Sequence, residues 1–114
     1  MSRIVELQIQ HATNIAQLIM RLNLLGYGVV GEEWKRPMEM VEIYAKRGTG
    51  SKNSLHPDKL ATDLSLFKDG KYLTKTEDYK VAGDIWKSLD PLCAWGGDWK
   101  VDGNHFSTMF MGRK

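Results

Sequence analysis

Three histidines and a scatter of aspartates are the residues in this 114-residue chain best equipped for metal or proton chemistry. His56 lies in the polar stretch Asn53-Ser54-Leu55-His56-Pro57-Asp58, and His105 closes Asp102-Gly103-Asn104-His105. A catalytic zinc takes three nitrogen or oxygen ligands from the protein and keeps one position open for water. His56, Asp63 and His105 could supply that set. A carboxylate that does not bind the metal must then take the water proton. Asp102 stands one turn-like step before His105, near enough to do so. On spacing alone, the same four residues also read as solvated loop residues or helix caps.

Other chemistries find less support. His11 falls in the apolar stripe of an expected helix and reads as a structural, partly buried histidine. Cys93 is the single cysteine, which excludes an internal disulfide and a multi-cysteine zinc site. No histidine pattern accompanies it, so it reads as inert. No serine sits in a Gly-x-Ser-x-Gly elbow. Asp58 and Asp98 read as surface residues and Trp86 as core. Trp34, Trp95 and Trp99 flank the polar motifs and could line a groove.

The elements that must position these groups follow from periodicity. Ile4, Leu7, His11, Ile15, Leu18, Leu22 and Leu25 recur at three- and four-residue steps, one face of a long helix stopped by Gly26 and Gly28. Tyr27 to Glu33 reads as a strand. Pro37 opens a second helix with Val41, Tyr44 and Ala45 on its apolar side, and Gly48 to Asn53 reads as an exposed loop. Leu60 to Phe67 alternates: Thr62, Leu64 and Leu66 face one way, and Asp63 shares the other face with Ala61, Ser65 and Phe67. Asp69-Gly70 signals a hairpin returning through Tyr72 and Leu73. Thr76 is the expected N-cap of a helix with the stripe Tyr79, Ala82, Trp86 and Leu89, ended by Pro91. His105 to Met111 alternates again and reads as the last strand. Together these make one α+β domain over residues 1–114, with a small antiparallel sheet flanked by helices. If the strands carrying Asp63 and His105 are neighbours, the candidate ligands converge.

Composition narrows the classes. Sixteen basic and fourteen acidic residues leave a net charge of +2, with the basic residues scattered, so a nucleic-acid partner is not expected. No apolar run approaches the roughly 20 residues that cross a bilayer, and the N-terminus lacks a signal-peptide layout. The expected starting compartment is the cytoplasm, without membrane insertion.

The motifs carry a resemblance. Ser54-x-His56, Ala61-x-Asp63 and Asp102-x-x-His105, in this order, resemble the zinc D-alanyl-D-alanine carboxypeptidase and L-alanyl-D-glutamate peptidase family. The likeness is strongest to its short bacteriophage members, the endolysin-like peptidoglycan peptidases. Gly31-Glu32-Glu33-Trp34-Lys35-Arg36-Pro37 is similar to that family's Gly-Glu-x-x-Arg-x-Pro, and Leu66-Phe67-Lys68-Asp69-Gly70-Lys71-Tyr72 and Trp95-Gly96-Gly97-Asp98 also read as family text. The resemblance implies the Hedgehog/DD-peptidase fold, zinc on His56, Asp63 and His105, and Asp102 as general base. It implies that Ser54 steadies the metal loop or touches substrate, and Trp95 is the tryptophan taken as a candidate substrate contact. The family arginine aligns with Lys35, while Arg36 sits one place later, and the two cations are not equivalent. The implied activity is hydrolysis of peptidoglycan stem peptides, at the L-alanyl-D-glutamate bond, by a monomeric phage endolysin. Such an enzyme acts from the host cytoplasm once another factor gives access to the wall. The alternatives are a D-alanyl-D-alanine carboxypeptidase or dipeptidase, and a non-catalytic zinc domain. Asp102 favours an enzyme, since a binding module has no use for a proton acceptor beside the metal.

Overall fold

The computed structural model describes residues 1–32, 55, 58–99 and 102–114. The second helix expected after Pro37 and the Gly48 to Asn53 loop lie outside the described residues.

Helix α1 (Arg3–Leu24) starts where Ser2 accepts the Val5 N–H at 3.4 Å. Its stripe Leu7, His11, Ile15, Leu18 and Leu22 is buried, and Asn14 joins it. Full burial of each leucine or isoleucine contributes about 1.5–3 kcal/mol. The stripe ends sooner than its spacing suggests. Leu25 is the C-cap and 52% exposed, because Gly26 turns the chain at φ +93° before another helical turn can form.

Strand β1 (Tyr27–Gly31) pairs antiparallel with β2 (Ala61–Lys68). Asp69 and Gly70, both at positive φ (52° and 77°), make the tight turn into β3 (Lys71–Tyr72), as the Asp-Gly pair predicts. Thr76–Tyr79 forms a 3-10 turn, and helix α2 (Lys80–Leu89) follows it. Thr76 is not the N-cap. Its hydroxyl accepts the Gly103 N–H at 3.3 Å instead, tying this turn to the segment before His105.

Strand β4 (Cys93–Trp95), which the pattern did not signal, pairs with β5 (His105–Thr108). The sheet order is β1-β2-β5-β4, with β3 also paired to β2 and every pairing antiparallel. β5 is shorter than the alternation to Met111 suggests. The Thr108 N–H meets Leu60 O at 2.8 Å, where β2 runs out, and Met111 and Gly112 then turn the chain at positive φ.

The helices cover one sheet face. Ile15, Leu18 and Leu22 pack with Leu64, Leu66, Trp86 and Phe106 in the main core. The Trp86 indole N–H is shared between Ala94 O and Ser107 O, both at 3.1 Å. His11 is fully buried, with its ring nitrogens 2.9 Å from Thr62 Oγ1 and 2.8 Å from Thr108 Oγ1. It therefore joins α1 to both β2 and β5, a stronger version of the structural role expected of it. No helix among the described residues is long and apolar enough to cross a membrane.

Candidate active site

Thr62 and Leu64 are fully buried in β2. Asp63, between them, projects to the opposite face. His105 opens β5 directly across from it. Facing residues of an antiparallel pair hold their Cβ atoms about 5 Å apart, and here His105 Nδ1 comes to 3.4 Å from Asp63 Oδ1. The two side chains are 12% and 18% exposed, sheltered yet reachable. The Trp99 ring stands edge-on to His105, 5.9 Å between centroids. The sheet thus brings together the aspartate and histidine that the sequence set 42 positions apart (105 minus 63).

Asp102 precedes this pair in a closely held turn. His105 N–H donates to Asp102 O at 3.2 Å, and Leu64 N–H to Asn104 O at 2.9 Å. Gly103 donates to Thr76 and accepts the Trp95 indole N–H at 2.6 Å. Two glycines make room for the turn. A Cβ on Gly103 would lie 2.9 Å from Thr76 Cα, and one on Gly96 would lie 2.3 Å from Asp102 O.

Trp95 does not line an open groove. It is 5% exposed, and its ring lies so close to Gly83 and Gly97 that a Cβ on either would fall 2.3–2.4 Å from ring carbons. Its work is beneath the surface, holding Gly103. Among the described residues, Trp99 is the tryptophan beside His105. Ser54, His56, Lys35 and Arg36 lie outside the described residues. Leu55, just before His56, is fully buried, and its carbonyl accepts the Leu60 N–H at 3.1 Å.

Several supporting contacts were not among those the sequence pattern predicted. Glu32 takes the Asp63 carbonyl through its own N–H at 2.8 Å and accepts the Ser65 hydroxyl at 2.7 Å. The Tyr79 hydroxyl accepts Leu66 N–H and donates to Leu73 O, closing the edge of β2 beyond β5. Its burial pushes the phenol pKa above the ordinary value of 10. Asp58, expected on the surface, forms a 2.6 Å ion pair with Arg113. Each link depends on tertiary proximity, which a one-dimensional pattern does not display. Cys93 is buried, and desolvation pushes its thiol up to about 12, in keeping with an inert role.

Among the described residues, no three histidine, cysteine or acidic side chains form a metal cluster. Asp63 and His105 do supply one oxygen and one nitrogen donor side by side, the types that zinc takes. The donor chemistry therefore fits a zinc ion, with one further ligand required from elsewhere in the chain.

No family model and no curated protein matches the sequence. The architecture is that of a small α+β domain of a kind found in a solved endopeptidase. The crystal structure of the Serratia marcescens L-Ala D-Glu endopeptidase ChiX matches with a TM-score of 0.67 and 24% identity, over 88% of this chain and 80% of that chain.

Proposed function

We propose that this chain is a zinc peptidase of the Hedgehog/DD-peptidase fold that hydrolyses peptidoglycan stem peptides at the L-alanyl-D-glutamate bond. The observation that carries this reading is the Asp63–His105 pair, with Asp102 one held turn before it, on a fold similar to that of an L-Ala D-Glu endopeptidase. His56, Asp63 and His105 would hold the zinc. Bound there, zinc would lower the pKa of a water to about 7 and polarise the scissile carbonyl.

The protein groups do the rest. Asp102 takes the proton of the attacking water and returns it to the leaving amine. The fixed 102–105 turn spares the enzyme the entropy of bringing that base into place. Lys35 or Arg36 steadies the developing oxyanion, and Ser54 supports the His56 loop or touches substrate. The proposed setting is a monomeric bacteriophage endolysin, made in the host cytoplasm and admitted to the wall by another factor.

The test is digestion of purified peptidoglycan by the zinc-loaded protein, with labelling of new amino termini and mass analysis. New termini on D-glutamate, with L-alanine retained on the glycan, are expected. Release of D-alanine alone would establish a carboxypeptidase, and no new termini would establish a non-catalytic domain.

A further inference from the structure

β2 has a gap along one edge. β5 pairs with it at Ala61 to Asp63, and β3 pairs at Phe67 and Lys68. Between them the edge is met by Asn104 O and the Tyr79 hydroxyl. A cavity of about 170 Å³ opens at this gap. Asp102, Gly103 and Asn104 form one wall, and Tyr72, Lys75 and Thr76 stand across from them. Tyr72 lies opposite Phe67 in the ladder, as His105 lies opposite Asp63. Residues 63 and 67 share a face of β2, so cavity and candidate ligands are served by the same side of the sheet. Among the described residues, Lys75 is the one cation lining the cavity, and Asp102 the one acid.

We propose that this cavity is the subsite for a substrate carboxylate beside the scissile bond, with Lys75 as its counter-ion. The inference rests on the peptidase reading above and adds to it a specificity. Asp102 must return its proton to the leaving amine, so that amine faces Asp102 and the mouth of the cavity. In a stem peptide the leaving amine belongs to D-glutamate. Because the chain continues through the γ-carboxyl, the α-carboxylate is free and lies two bonds from the scissile nitrogen. An anion brought so close to the Asp102 carboxylate is repelled unless a cation offsets it. Lys75 is placed to do so.

The test compares two synthetic stem-peptide fragments, one with the free α-carboxylate on D-glutamate and one with the α-amide. An exposed ion pair contributes up to about 1 kcal/mol, so the zinc-loaded wild type should favour the carboxylate roughly fivefold in kcat/KM. Lys75→Met should bring that ratio to one or below, through KM. Lys75→Arg should restore it. Lys75 is exposed, so circular dichroism should be alike in all three proteins. A wild-type ratio of one, or an unchanged ratio in Lys75→Met, overturns the subsite while leaving the peptidase reading intact. Cleavage of neither fragment by the wild type overturns both.

Discussion

Gly96 is where a single methyl group should do the most damage to the proposed site. It follows β4, and an ideal Cβ there would stand 2.3 Å from Asp102 O, 3.3 Å from Asp102 C and 2.9 Å from His105 Cβ. Non-bonded carbon atoms pack at about 3.5–4.0 Å, so relief requires a displacement on the order of 1 Å. Neither neighbour is the loose end of a side chain. The turn cannot simply slide away, because Gly103 is bonded to Thr76 and Trp95, and Asn104 O to Leu64 N–H. The strain therefore falls on the groups assigned as base and ligand. Overpacking of this kind costs about 1–3 kcal/mol of stability, and a 1 Å misplacement of catalytic groups costs roughly 100-fold in rate. The assay is kcat/KM on a stem-peptide fragment at saturating zinc, alongside thermal unfolding. Gly96→Ala should stay folded at 25 °C and lose about two orders of magnitude in activity. Gly28→Ala, whose Cβ would meet Phe67 Cβ at an ordinary 3.6 Å, should keep the wild-type rate. A fully active Gly96→Ala would show that the 102–105 turn does not position the reacting groups.

Ligand and base should separate by metal content. His105→Ala and Asp63→Ala should lose zinc on dialysis, whereas Asp102→Ala should keep about one zinc per chain and lose roughly 100- to 10,000-fold in rate; wild-type turnover by Asp102→Ala refutes its role. His11→Ala should cost about 2–4 kcal/mol in a urea titration, since it opens a cavity and strands the buried Thr62 and Thr108 hydroxyls; a loss under 1 kcal/mol would contradict the account of that junction. Cys93 should resist alkylation at pH 8 in the native state. Its folded pKa is raised to about 12 from an ordinary 9.0, so the folded state holds the proton longer than the unfolded chain. Its contribution is complete below pH 9 and is lost as pH rises toward 12. Urea midpoints for wild type and Cys93→Ala should converge across that window, and parallel curves would argue against the burial.

Much of the scaffold was legible because burial and periodicity agree. The α1 stripe, the Asp69-Gly70 turn and the alternation of β2 are local patterns, each with a local cause. The failures have other causes. β4 is three residues long and fully buried, so it offers no alternation to detect. Thr76 has the composition of a cap, yet its hydroxyl is drawn to Gly103 by the packing of the 3-10 turn on the 102–104 segment. Trp95 sits beside a motif in sequence, but Gly83 and Gly97 clear a slot that draws its ring inward. For Thr76 and Trp95 a contact from another part of the chain outweighs the local preference.

The candidate site was legible for a reason that also explains its construction. Asp63 interrupts the buried run from Ala61 to Leu66, and a carboxylate in that position is costly unless it gains a partner. Register supplies one: pairing Ala61 with Ser107 and Thr62 with Phe106 sets Asp63 directly across from His105. A slip of one residue would turn Asp63 into the core and Leu64 out of it, so the hydrophobic core itself enforces the pairing. His11 reinforces it from beneath, bridging Thr62 on β2 and Thr108 on β5. The polar face of the sheet therefore inherits its geometry from the apolar face. The same two strands that close the core deliver an oxygen and a nitrogen donor to one point. The turn that feeds β5 then ties Asp102 to His105 through the backbone, His105 N–H donating to Asp102 O.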